Sequence, residues 1–152
     1  MLIPQNLKMP VQEANSNSYN KDSFWYYPWG KSVTHKGVDI FAKKDTPIYS
    51  ATTGFVLKSG INQIGGKSVW ILGPKWRIHY YAHLNDLKID KYSYVSQNTL
   101  IGTVGTSGNA KGKSPHLHYM ILTCIPYPWN IDSGKQGIRK MFYLNPISYF
   151  KK

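Results

Sequence analysis

Apolar residues in this chain fall in short runs at 37–42, 48–51, 54–58, 68–72, 77–84, 100–104 and 116–122. Gly54, Gly60, Gly65, Gly66, Gly73, Gly102, Gly105, Gly108 and Gly112 separate or edge them. Several runs alternate: Val69 and Ile71 share one parity, Trp70 and Leu72 the other. Period-two runs between turn residues predict antiparallel strands. No segment combines a helical apolar stripe with caps over more than about two turns. The expected fold is therefore all-β and antiparallel, with few or no long helices. Residues 85–91 read as a helical turn or a loop. Residues 1–21 are polar and Asn-rich, with Pro4 and Pro10 as breakers. They are expected to form an extended segment packing on a domain of residues 22–152. No repeat or linker divides the chain, so a single domain is expected overall.

Composition narrows the picture. A length of 152 residues suits one domain with a real core. Hydrophobic residues at 41% against 17% charged exclude bulk disorder. No apolar run approaches the roughly 20 residues of a membrane helix, so no membrane span is expected. Residues 1–21 lack a basic segment followed by an apolar one, so no secretory signal is read there. A removed leader, another export route and a cytosolic location all stay open on this ground. Cys124 is the single cysteine, which excludes an internal disulfide framework and a multi-cysteine zinc site. Following an apolar run, it reads as a small buried hydrophobe. A bound metal would need histidines and carboxylates.

Nineteen Lys and Arg against seven Asp and Glu give a net charge of +12. That charge favours nucleic acid, anionic lipid or anionic cell-wall polymers as partners. No helix-turn-helix, RNA-recognition signature or zinc finger accompanies it, so no specific nucleic-acid binding is expected. The Lys-rich stretches read first as solvated surface and second as a binding patch.

Four of the five histidines fall in pointed contexts. In His35-Lys36-Gly37-Val38-Asp39, positions 35, 37 and 39 face one way on an extended chain, and Gly37 leaves room over that face. In His116-Leu117-His118 the imidazoles share a face only on a strand; a helix would splay them by about 200°. His83, in Tyr80-Tyr81-Ala82-His83-Leu84, shares a face with Tyr81 and His79 if that segment is extended. Such a set offers His, Asp and His to a metal, with imidazoles to spare. A catalytic zinc takes three protein ligands and keeps one position for water. With one carboxylate among the ligands the ion stays net positive and still acidifies a water. The spare histidines suit acid–base work. Each element has an ordinary reading too: His-x-x-x-Asp in a loop is common, and His83 alone is more often a half-buried structural histidine. His79 reads as surface or packing. The aromatic stretch Phe24, Trp25, Tyr26, Tyr27 and Trp29 suits either core or a groove wall.

These motifs, taken in order, resemble the lysostaphin/LytM-type zinc endopeptidases that cleave peptide bonds in peptidoglycan. The resemblance rests on His35-x-Gly37-x-Asp39, on Asp45-Thr46-Pro47-Ile48-Tyr49-Ser50-Ala51-x-x-Gly54-x-Val56, and on Tyr81-x-His83-Leu84. It continues with Ile101-Gly102-x-Val104-Gly105-x-Ser107-Gly108 and Pro115-His116-Leu117-His118. Met9-Pro10-Val11 and Asn145-Pro146-Ile147 resemble flanks of Gram-negative members, so it covers about residues 8–150.

The resemblance implies a twisted antiparallel β-sheet with a groove, and zinc held by His35, Asp39 and His118, with His83 and His116 as the catalytic histidines. It makes Tyr27, Tyr81, Ser114 and Tyr119 the candidate substrate-binding residues. It implies peptidoglycan peptide cross-links as substrate, of the D-alanyl–diaminopimelate type given the flanks, and a periplasmic or secreted place in the cell envelope. Departures bear on substrate preference: Tyr119-Met120 stands where many relatives have Phe-Glu, Ser114 where Gly is common, Asp45 in the Gly-Thr-Pro turn, and Val33 and Thr34 where an Arg is frequent. A catalytically silent module that binds the wall or activates another hydrolase is the competing reading. Such modules usually lose ligands, and all five candidate residues are present here.

Overall fold

A computed structural model describes residues 5–150. Residues 1–4 and 151–152, part of the expected extended segment and of the expected domain, lie outside the described residues. Nine strands form one open antiparallel sheet among the described residues. They are β1 (Val38–Phe41), β2 (Pro47–Tyr49), β3 (Gly54–Asn62), β4 (Gly66–Gly73), β5 (Arg77–Leu87), β6 (Tyr94–Val95), β7 (Leu100–Val104), β8 (His116–Thr123) and β9 (Tyr143–Leu144). The main path is β1-β8-β5-β4-β3-β6, with β7 joining β2 and β5, and β9 joining β8. The helical elements among the described residues are short 3₁₀ turns, the longest Gly137–Phe142. The all-β expectation thus holds.

Register explains how one sheet makes both a core and a groove. Val38 pairs with Tyr119, Tyr119 with Tyr81, and Tyr81 with Val69, and all four side chains are fully buried. One residue along, Asp39 pairs with His118, and His118 with Ala82. Paired residues project to the same side of a sheet, and adjacent ones to opposite sides. The first row therefore backs onto the core and the second faces the groove. Leu7 and Val11 enter the same core through single bridges to Phe150 and Ile48.

Several local expectations need correction. Residues 85–91 are not a helical turn: β5 continues to Leu87, with Leu87 pairing to Gly102, and a loop follows. β6 and β9 fall outside the predicted runs, being two residues each and too short to alternate. Cys124 is exposed rather than buried, because β8 ends at Thr123. Gly37 does not open space over the site. A Cβ there would collide with the carbonyl oxygen of Tyr119, so the glycine permits close approach of its backbone to β8.

Candidate metal centre and its groove

His35, Asp39 and His118 converge from three places: the loop before β1, β1 itself, and β8. Strand pairing sets Asp39 opposite His118. The loop is closed by reciprocal backbone bonds, Trp25 N–H to the His35 carbonyl at 2.5 Å and His35 N–H to the Tyr26 carbonyl at 3.0 Å. The separations are 2.9 Å from His118 Nδ1 to Asp39 Oδ1, 3.2 Å from His35 Nε2 to Asp39 Oδ1, and 3.3 Å between His35 Nε2 and His118 Nδ1. One donor atom from each residue lies within 4.8 Å of the others.

The protonation pattern indicates what these atoms face. His35 Nδ1 lies 3.0 Å from the Ser23 carbonyl, which only accepts, so Nδ1 carries the proton. In the neutral ring Nε2 is then a bare acceptor directed at a carboxylate oxygen. Two acceptors at that distance repel unless a cation or a proton lies between them. A tetrahedron with zinc–ligand bonds of about 2.0–2.1 Å has edges of about 3.3 Å, close to the observed spacing. The donor set therefore fits a zinc-like divalent ion. Burial pushes the Asp39 carboxyl up, but the His118 and His35 rings beside it outweigh that and hold it well below the usual carboxylate range.

His83 and His116 flank this cluster. Their rings lie 5.2 Å apart, and the His83 ring is 6.0 Å from that of His118. Each donates its Nδ1 proton to a backbone carbonyl: His83 to Ser107 at 2.8 Å, His116 to Ser114 at 2.8 Å. The neutral rings therefore keep Nε2 unprotonated, and His116 Nε2 sits 3.9 Å from Asp39 Oδ1. Burial is the main cause lowering the His83 pKa to about 4, with the neighbouring histidines adding to it against the Ser107 bond. His83 is thus neutral near pH 7, with its Nε2 lone pair free.

His83 does not share a face with Tyr81 and His79. Its φ of +67° and the register shift between Lys67 and Val69 mark a bulge. A bulge adds a residue and resets the alternation. His83 accordingly lines the same groove as Tyr80 and Ala82, while Tyr81 and His79 stay in the interior. Tyr81 and Tyr119 are therefore removed from the candidate substrate-binding set, since both are fully buried on the core side. Tyr27 is exposed but does not line the groove; its ring lies under Lys135. Ser114 does line it.

The groove has a volume of about 620 Å³. Tyr80, Ala82, His118 and Met120 contribute to its floor. Trp29 stacks on His35 at 4.1 Å, making that part of the aromatic stretch a groove wall. Sequence reasoning did not single out Tyr80 or the orienting carbonyls of Ser23 and Ser107. Strand parity with Ala82 could have found Tyr80. A backbone carbonyl leaves no side-chain signal.

An open antiparallel sheet carrying a His/Asp/His triad between two carbonyl-oriented imidazoles is the layout of a hydrolytic metal site. The chain belongs to peptidase family M23, whose description matches residues 33–128. It is 39% identical over 93 residues to the peptidoglycan DD-endopeptidase ShyC of Vibrio cholerae, covering 61% of this chain and 21% of that protein. It is 39% identical over 98 residues to the L-Ala--D-Glu endopeptidase of Bacillus subtilis, covering 60% and 30%. The chain thus spans less than a third of the length of these curated relatives. Among solved structures, the catalytic domain of the antimicrobial peptidase lysostaphin from Staphylococcus simulans matches with a TM-score of 0.69 at 23% identity. That match covers 90% of this chain and 98% of that one, and shows the fold.

Proposed function

We propose that this chain is a zinc-dependent endopeptidase domain that hydrolyses peptide cross-links of peptidoglycan, of the D-alanyl–diaminopimelate type, in the cell envelope. The observation that carries the proposal is the set of three ligand atoms 2.9–3.3 Å apart, flanked by two imidazoles whose Nδ1 protons are already committed to carbonyls. The relatives named as peptidoglycan endopeptidases support the substrate class, and the DD-endopeptidase among them supports the bond type.

His35, Asp39 and His118 would hold the ion. When bound, zinc supplies positive charge that acidifies a water and polarises a carbonyl. His83 and His116 supply the proton traffic. An Nε2 atom that takes a proton from the attacking water carries it facing the groove. It can then stabilise the developing oxyanion or pass the proton to the departing amine. The +12 charge would concentrate the domain on anionic cell-wall polymers, and salt would weaken that attraction.

The test is digestion of purified peptidoglycan with and without chelator, with mass spectrometry of the released fragments. Metal-dependent release of D-alanyl–diaminopimelate products is expected. His83→Ala and His116→Ala are each expected to lower kcat about 10²–10⁴-fold with metal retained. Absence of metal-dependent products rejects the proposal.

A further inference from the structure

The groove is strongly cationic. Among the described residues, Lys31, Lys36, Lys113 and Arg139 line it against a single carboxylate, Asp39, which is engaged with the histidines. Two of these cations stand together at one end. On β8, the groove runs from His116 past His118 to Met120, and beyond it Leu122 pairs with Tyr143. Lys36 Nζ lies 6.0 Å from the Tyr143 ring and 5.4 Å from that of Trp25. Arg139 lines the same wall from the 3₁₀ turn Gly137–Phe142, outside residues 33–128 matched by the family.

That wall is firmly held. Gln136 Oε1 accepts from Lys36 Nζ and from Thr34 Oγ1, each at 2.9 Å. Trp25 Nε1 donates to the Lys135 carbonyl at 2.8 Å. Lys36 Nζ also donates to the Ser32 carbonyl at 2.7 Å and the Thr34 hydroxyl at 3.1 Å. Its hydrogen bonds all go to neutral acceptors. Arg139, among the described residues, makes no side-chain hydrogen bond or ion pair. Lys36 bonds Gln136, three residues before Arg139, so two like charges share this wall without a counter-ion and disfavour each other. An arriving anion would relieve this. A guanidinium presents a planar fork that matches a carboxylate with two parallel bonds.

We propose that Arg139, backed by Lys36, forms a carboxylate-binding subsite at the Met120 end of the groove and selects peptides bearing a free carboxylate near the scissile bond over their carboxamide counterparts. The inference rests on the peptidase reading above and adds a specificity-determining residue to it. A peptide is favoured over a phosphate-bearing wall polymer because these cations share the groove with His83 and His116, where the cut chain must lie.

The test uses two cross-linked peptides that differ only in that carboxylate or carboxamide, and the variants Arg139→Gln and Lys91→Gln. Lys91 is an exposed cation away from the groove and controls for net charge. The KM of the carboxylate peptide is expected to rise about tenfold in Arg139→Gln, the order of one charge-assisted hydrogen bond. Its kcat should stay within about twofold, and the carboxamide peptide and Lys91→Gln should show no change. Calorimetric binding of uncleaved forms of both peptides separates this proposal from the peptidase reading. If neither peptide is cut, carboxylate-selective binding lost in Arg139→Gln still supports the subsite. Equal binding of the two peptides, an equal effect of Arg139→Gln on both, or tighter binding of inorganic phosphate than of the carboxylate peptide would overturn it.

Discussion

The ring of His83 and the loop carrying Ser107 hold each other in place. His83 Nδ1 donates to the Ser107 carbonyl at 2.8 Å, and the Ser107 hydroxyl donates to the carbonyl of Leu84, next to His83, at 2.6 Å. The same hydroxyl accepts from Lys67 N–H at 3.0 Å. One residue thus clamps β4, β5 and the 105–114 loop around an imidazole that the bulge has turned into the groove.

Ser107→Ala is expected to leave the Leu84 carbonyl and the Lys67 amide short of a partner, and to cost about 1–3 kcal/mol. Urea unfolding measures that loss. Since the loop also orients His83, kcat should fall while bound metal stays unchanged. A variant as stable and as active as the parent would show that the clamp is dispensable.

Removing a donor from the triad should remove the ion. His118→Ala is expected to reduce metal content by at least about tenfold, taking the effect of a mere supporting residue as the lower bound. Elemental analysis after dialysis checks this. Chelation of the parent protein should lower its Tm, because an ion that binds only the folded state stabilises it. Chelation should leave the Tm of His118→Ala where it is.

His79 gives the core a sensitivity to acid. It is fully buried, its Nδ1 is 2.5 Å from the Tyr119 hydroxyl, and its Nε2 has no partner among the described residues. Burial, with Arg77 adding to it, lowers its pKa from 6.5 to about 3. A depressed histidine pKa means that the unfolded chain binds the proton first. Stability is therefore complete above pH 6.5 and declines as pH falls toward 3. This one group should remove about 2 kcal/mol between pH 7 and pH 5. His79→Gln, which can still bond the Tyr119 hydroxyl, should flatten that part of the urea-midpoint profile. An unchanged slope would locate the acid sensitivity elsewhere.

Gly37→Ala would drive a methyl group into the Tyr119 carbonyl. Overpacking of this kind costs about 1–3 kcal/mol. Because β1 must then move away from β8, metal affinity should fall together with stability. Denaturant unfolding and metal titration of the same variant measure both effects.

Much of the site was legible in local spacing. His116 and His118 two apart, and His35 and Asp39 four apart, predicted shared faces on extended chain, and the structure gathers His35, Asp39 and His118 around one point. Short alternating runs likewise predicted seven of the strand regions. Local pattern carries this information because a strand's side-chain period is set by its own backbone.

What the chain alone determined was the stock of donors and their parity within each strand. Tertiary structure decided which parity became groove. It turned His83 away from the Tyr81 face with a bulge at φ +67° and sent Tyr81 and Tyr119 into the core. It brought Arg139 beside Lys36 across a hundred residues of sequence, and chose the carbonyls of Ser23, Ser107 and Ser114 as partners for three imidazoles. These outcomes depend on pairing register, on a backbone irregularity and on segments meeting from far along the chain, and a periodicity read over a few residues contains none of them.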